Sequence, residues 1–397
     1  MAKTVYMDNS ATTFTKPEVL EEMLPYFTQK FGNPSSMYRI SDLTRKAIAV
    51  AREQVAKAIN ADPKEIYFTA GGSEGDNWAL KGIAYANRNK GNHIITTQIE
   101  HHAILHSGKF LEKEGFKVTY LPVDEEGFVS LDELKAAITD ETILVSIMFA
   151  NNEIGTIQPI KEIASICKEK GVYFHTDAVQ AVGHVPVDVQ DLGVDMLSMA
   201  GHKFYGPKGV GAMYIKKGVK IENLIHGGAQ EKGKRASTEN TPGIVGIGKA
   251  IEITIGELAE ESARLTKLRD KLTKGLMEKV PYAQLNGPKD GSKRNPNNVN
   301  MSFIGVEGET LLLDLDDAGI CASTGSACAS GSLDPSHVLL SIGCKHEVAH
   351  GSLRLTLGAG NTEEDVDYAL EVIPPIIKRR REMSPLWSDF LKQRGEK

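Results

Sequence analysis

The chain has 397 residues, 41% hydrophobic and 25% charged, with a formal net charge of -6 at pH 7. That size and balance describe an ordinary globular protein long enough for two domains, and the negative charge disfavours a general nucleic-acid binder; the basic run 378–381 reads as the solvated end of a helix. No membrane span and no signal peptide stand out, since residues 1–6 lead straight into polar MDNSATT, so the expected compartment is the cytoplasm.

In chain order, residues 17–30 and 41–60 are expected to be helices, with Thr15 capping the first, Pro17 in its first turn, and Ser41 capping the second. Strand and helix then alternate. The apolar stretches 65–69, 93–97, 117–121, 142–150, 172–177, 196–200 and 210–215 read as strands, and a helix between two of them opens with the capping box Ser130, Leu131, Asp132, Glu133. This alternation implies an α/β fold whose large domain has a mostly parallel sheet covered on both faces, with ligands at the carboxyl ends of its strands.

Beyond Gly243 a helical pattern runs to about Val280, and a loop over 286–298, rich in Gly, Pro, Asn and Lys, follows it. Strands at 299–304 and 352–357 and helices at 309–318 and 362–383 make the remainder a smaller α/β domain. The boundary falls on the long helix: residues 15–255 form the large domain, and residues 1–14 with 256–397 form the small one.

Three stretches carry chemistry. After the strand ending at Thr69, AGGSEGDN is a glycine-rich turn into a helix, whose N–H groups and Ser73 hydroxyl could hold a phosphate; a plain strand-to-helix turn has the same look. Asp177 closes the apolar strand VYFHTD, where a carboxylate calls for a cationic partner or serves as a helix cap. Lys203, in SMAGHKFYGPKGVG, lies between the end of a buried strand and a Gly/Pro-rich turn, which makes it either a desolvated reactive amine or an exposed loop lysine. A phosphate cradle, a strand-end acid and a strand-end lysine in that order suggest pyridoxal phosphate, which needs a lysine to bond it, an acid beside its ring nitrogen and an anchor for its phosphate.

At SMAGHKFYGPKGVGAMY the chain resembles the cysteine desulfurases of the NifS/IscS type, class V members of the fold-type I aminotransferase superfamily. The resemblance runs nearly end to end, through MDNSATT, FGNPSS, FTAGGSEGDN, IEHHAI, ANNEIGTIQP, HTDAVQAVG, HGGAQEKGKR, ASTGSACASGSLDPSHVLLSIG and HGSLRLTLG. It implies a pyridoxal-phosphate-dependent homodimer that turns L-cysteine into L-alanine and leaves sulfur as a persulfide on Cys328, for transfer to an acceptor such as an iron-sulfur scaffold. It further implies that Lys203 bonds the cofactor, His101 stacks on its ring, Asp177 pairs with the ring nitrogen, and Gln180 and Asn152 flank the phenolic oxygen. Gly72, Ser73 and His202 would hold the phosphate, with Thr238 reaching it from the neighbouring subunit, and Arg354 would take the substrate carboxylate. The neighbouring activities are selenocysteine lyase and class V aminotransferase.

The residues around Cys328 agree with a reactive thiol, because 321–336 is rich in Gly, Ser and Ala and poor in apolar anchors. Cys321 and Cys344 border apolar segments and read as packing, and with Cys167 the 4 cysteines form no CxxC pair or disulfide framework. The chain departs from the family pattern at Ala200, where many relatives have a phosphate-binding serine, and at Ser237, Ser10 and Tyr38. A rival reading comes from His346, Glu347, Val348, Ala349 and His350, which spell the HExxH zinc-hydrolase signature. Gly351 and a strand follow at once, leaving about one helical turn and no third ligand downstream, so no metal is expected. His102 and His106 could also pair on a metal, and a solvated helix face explains them equally.

Overall fold

The computed structural model describes residues 4–324 and 335–395. Its strands, in chain order, are β1 (Val5–Tyr6), β2 (Ile66–Thr69), β3 (His93–Thr97), β4 (Lys117–Leu121), β5 (Thr142–Ser146), β6 (Tyr173–Asp177), β7 (Met196–Ala200), β8 (Gly211–Ile215), β9 (Ala283–Leu285), β10 (Asn298–Phe303), β11 (Ile320–Cys321) and β12 (Ser352–Thr356). Seven form one sheet in the order β2, β8, β7, β6, β5, β3, β4. From β4 to β7 the strands run parallel, and β8 is antiparallel to both its neighbours. β3, β5, β7 and β8 are buried along their whole length, so TILVS and MLSMA are unbroken buried runs. The helix Gly72–Ala86 covers β7 and β8, His102–Lys113 covers β4, and Ile160–Lys170 covers β6.

The helix Thr241–Lys279 has 39 residues and is about 58 Å long at about 1.5 Å per residue. Its first part puts Ile244, Ile247 and Ile251 into the core of the seven-stranded sheet, beside Phe204 and Leu197. Its second part puts Leu265, Leu268, Leu272 and Leu276 into another core, with Met301 and Phe303 of β10 and Leu353 and Leu355 of β12. Each such leucine, fully buried, contributes about 1.5–3 kcal/mol. The amino-terminal segment joins that second core through Val5 and Met7, and β1 pairs with β11.

Four local expectations need correction. The helix expected over 17–30 is two pieces, Pro17–Met23 and Pro25–Thr28, since Pro25 lacks the N–H that would continue the first. Lys16, not Thr15, holds its cap position, and no side chain caps there. The next helix starts at Arg39, so Ser41 is buried inside its first turn and caps nothing. Ser130 does cap its helix, accepting from Glu133 N at 3.3 Å. The strand expected over 142–150 ends at Ser146; beyond it Ile147 N and Phe149 N still donate to the β6 carbonyls of His175 and Asp177, and the chain then turns at Asn151.

Candidate functional site

The parallel strands deliver β6 and β7 with their carboxyl ends side by side, and the helix Gly72–Ala86 begins just beyond them. Gly72 packs so closely that a Cβ there would meet Val179 Cγ2 at 2.5 Å and Ala200 Cβ at 3.7 Å. At Gly211 a Cβ would strike the backbone of Met199 and Gly71 at 2.6–2.8 Å, so β8 can pass under this turn only as glycine. The helix start opens on a cavity of about 450 Å³ lined by Gly71, Gly72, Ser73, Thr12, His202 and Lys208. Main-chain N–H groups at a helix start, a lysine and a histidine suit a phosphate there.

Lys203 ends the short turn after β7, and its Nζ donates to the carbonyls of Ser10 at 2.5 Å and Ala11 at 2.9 Å. Gln180 Nε2 donates to the same Ser10 carbonyl at 3.0 Å. The Ser10 departure therefore leaves these two contacts intact, because both use its main chain. His202 Nδ1 is 3.1 Å from Thr12 Oγ1, and burial with the charge of Lys203 pushes its pKa down to about 4. This imidazole is neutral at pH 7 and can donate a hydrogen bond to an anion.

Asp177 is 5% exposed, and burial raises its pKa while the Val179 N–H and Lys203 oppose the rise. Its Oδ1 accepts from Val179 N at 2.9 Å, as a capping aspartate would, and burial of the whole carboxyl favours a cationic partner. His101 occupies the cap position of the helix His102–Lys113, where its Nδ1 accepts from Ala103 N at 3.1 Å. That bond fixes the tautomer, leaving the proton on Nε2. Burial and Lys203 lower the His101 pKa.

Arg354, on β12, is 1% exposed. Its Nη2 donates to Asp8 Oδ1 at 2.8 Å and its Nη1 to the Asn152 carbonyl at 3.1 Å, while Nε has no hydrogen-bond partner among the described residues. An incompletely satisfied guanidinium is suited to a carboxylate fork. Thr238 is exposed and does not line the cavity of its own chain, and Ser237 before it has a φ of 94°. Ala200 offers a methyl group to Gly72 and no hydroxyl to an anion. Cys328 lies outside the described residues. Burial raises the pKa of the other thiols, Cys167 to about 12. HEVAH is a five-residue helix with its two imidazoles 4.6 Å apart, and among the described residues no three His, Cys, Asp or Glu side chains are arranged to hold a metal ion.

The family model described as aminotransferase class-V matches residues 5–369. Over all 397 residues of both chains, this chain is 72% identical to a cysteine desulfurase IscS of Clostridium botulinum. The chain belongs to the cysteine desulfurases of the class V aminotransferase family. A solved NifS-like protein superposes with a TM-score of 0.89 at 43% identity, covering 95% of this chain and 100% of that one. A structure of SspA in complex with cysteine has a TM-score of 0.79 at 36% identity, covering 89% of this chain and 99% of that one. The cysteine desulfurase is thus an enzyme with the fold-type I architecture, and its family depends on pyridoxal phosphate; the lyase, aminotransferase and zinc-hydrolase readings are not favoured. The cavity at the helix start, the buried Asp177 and the nearby Lys203 and His101 fit that cofactor.

Sequence reasoning passed over a buried polar group beneath the site. Asp76, Glu100 and His175 are all within the core of this desulfurase. His175 is held between Ser146 Oγ and Ser198 Oγ, each 2.9 Å away, and burial lowers its pKa to about 3. Asp76 Oδ1 has no well-formed hydrogen bond among the described residues, and burial with the charge of Asp177 raises its pKa well above the usual carboxylate value against an opposing pull from Ser198. One signal was available: His175 stands two residues before Asp177 on the same strand, so both point to one face.

Proposed function

We propose that this desulfurase takes L-cysteine, releases L-alanine and hands the sulfur from Cys328 to an acceptor such as an iron-sulfur scaffold. The observation that carries the assignment of residues is the meeting of Lys203, Asp177, His101 and the helix-start cavity at the carboxyl edge of one sheet.

In this reading Gly72, Ser73 and His202 would hold the cofactor phosphate with Thr238 of a second copy, His101 would pack against the ring, and Asn152 and Gln180 would serve its phenolic oxygen. Pyridoxal phosphate, when bound, supplies an electron sink that lets bonds at Cα and Cβ of an amino acid be broken. Lys203 would bond the cofactor, and its amine, when free, would move protons at the substrate Cα. His101 serves proton transfer through Nε2, because its Nδ1 is committed to Ala103 N. Asp177 keeps a positive charge next to it favourable in a buried setting. Arg354 takes the substrate carboxylate. The Cys328 thiolate attacks the substrate sulfur; an S–S bond forms as the Cβ–S bond breaks with its electron pair left on carbon, and a proton at Cβ completes alanine.

A homodimer is supported by exposed large apolar side chains grouped near the amino terminus, including Leu20, Leu24, Phe27, Phe31, Met37 and Tyr38. The proposed domains are residues 15–255 and residues 1–14 with 256–397, a division supported by the two cores that share the long helix. No helix among the described residues is long and apolar enough to cross a membrane, which is compatible with a cytoplasmic enzyme that contacts neither membrane nor nucleic acid. The experiment is Lys203→Ala: it should abolish both alanine release and the borohydride-reducible link between chain and cofactor, because Lys203 is the lysine whose charge acts on both Asp177 and His101, while Lys208 lines the helix-start end of the cavity. A reducible link retained at another lysine would sink the assignment.

A further inference from the structure

The turn ANNEIG holds a buried acid that the chemistry above does not use. Glu153 is 4% exposed. Its main chain is fixed from two sides: its N–H donates to Asn151 Oδ1 at 2.8 Å, and its carbonyl accepts from Asn298 Nδ2 at 2.9 Å and Asn300 Nδ2 at 3.0 Å on β10. Its carboxylate accepts a hydrogen bond from Ser336 Oγ. That hydroxyl in turn accepts from Val338 N at 3.1 Å and Leu339 N at 3.2 Å as the cap of the helix His337–Ser341. A hydroxyl has one proton, so Ser336 can cap this helix and still donate only where an acceptor stands opposite it.

The neighbouring contacts give this link its meaning. Asn152, the residue before Glu153, accepts from Arg354 Nη1 through its carbonyl. Arg354 N donates to Ser323 O at 2.6 Å, and Ser323 N donates back to Arg354 O at 3.1 Å. Residues 323 and 336, which flank the stretch containing Cys328, are therefore both tied to Arg354 or to the turn that touches it. Burial pushes the Glu153 carboxyl up to about 7, with Ser336 and Arg354 pulling it down. In either protonation state the group can accept from Ser336. A hydrocarbon would fill the same space without the desolvation cost of an acid.

We propose that Glu153 is a positioning residue for sulfur transfer, holding the exit of the Cys328 stretch, through Ser336, in register with Arg354. The proposal rests on the reading that Cys328 is the nucleophile and Arg354 the carboxylate site. It predicts a split between substrate binding and sulfur transfer. In the holoenzyme, Glu153→Leu and Ser336→Ala should each leave the L-cysteine-induced change in cofactor absorbance at a half-saturation within about threefold of wild type. Each should slow persulfide formation on Cys328, read by rapid quench and mass spectrometry, about tenfold or more, the loss expected when one partner of a buried hydrogen bond is removed. The double variant should be no slower than the worse single one, because both changes remove the same link. Glu153→Gln should recover most of the rate, since its amide oxygen accepts in the same place.

Persulfide formation at the wild-type rate in Ser336→Ala would overturn the proposal even if Glu153→Leu failed to fold. So would binding and transfer weakened in equal proportion, or Glu153→Gln as slow as Glu153→Leu. Sulfur found on another cysteine of the wild-type enzyme would overturn the nucleophile reading and this proposal together, which separates the two failures.

Discussion

Replacing Asp177 with asparagine separates the charge of this residue from its shape. The side chain is fully enclosed at the end of β6, and its Oδ1 accepts from Val179 N at 2.9 Å. An asparagine oxygen can keep that bond, so the turn after β6 should survive. What is lost is the negative charge that the proposed assignment puts beside the cofactor ring. Removing one member of a buried charged pair costs about 3–5 kcal/mol. At about 1.4 kcal/mol per factor of ten, that is a fall in kcat of about 10² to 10⁴. Burial raises the Asp177 pKa, so the folded apoprotein holds this proton more tightly than the unfolded chain does. Below the usual carboxylate range that contribution is fully present, and it is lost as pH rises through the raised value; a permanently neutral asparagine does not lose it. Asp177→Asn without cofactor should therefore be as stable as wild type at pH 8, or more so. The assay is steady-state alanine release by the cofactor-loaded variant, with chemical denaturation of the apoprotein alongside. A rate within about threefold of wild type, or a large stability loss in the apoprotein, would refute the reasoning and leave Asp177 as a structural cap.

Glu100 offers a second test of buried acids: it accepts from Thr97 Oγ1 at 2.6 Å and from Met148 N, and burial raises its pKa from 4.5 to about 8. Its stabilising proton is fully held below pH 4.5 and lost as pH rises through about 8, at up to about 1.4 kcal/mol per pH unit. Glu100→Gln should gain on wild type in denaturation midpoints between pH 5.5 and 8.5, and parallel pH curves would contradict the assignment. Assembly is tested by mixing inactive Lys203→Ala with inactive Thr238→Trp, which should restore about a quarter of the wild-type rate through randomly formed hybrid dimers with one intact site each. Hybrids confirmed by mass that stay inactive would remove Thr238 from the neighbouring site.

Much of this architecture is legible locally because its signals are local. The buried strands are short apolar runs bounded by turns, and the glycine-rich segments around Gly72 and Lys203 lie where two pieces of backbone approach closely. Errors arose where a single residue overrode a periodic pattern. Pro25 breaks an otherwise helical stretch, and the helix at Arg39 starts ahead of the serine that resembles its cap. The second class of omission is long-range. Lys203 meets the carbonyls of Ser10 and Ala11, and because every residue has a carbonyl, no residue type marks that encounter. Glu153 meets Ser336 across 183 positions, and burial of Asp76 and Glu100 follows from how helix and sheet stack. Nothing in AGGSEGDN or IEHH announces it.

The central assignment is that one named thiol receives the sulfur. The holoenzyme, reduced and freed of excess thiol, is given one equivalent of L-cysteine, quenched after a single turnover, digested and weighed. One alanine released per sulfur gained, with that sulfur on the peptide containing Cys328, is the predicted result, and Cys328→Ala should still show the substrate-induced absorbance change yet gain no sulfur. Sulfur on Cys167, Cys321 or Cys344, or alanine formed at the normal rate by Cys328→Ala, would contradict the account.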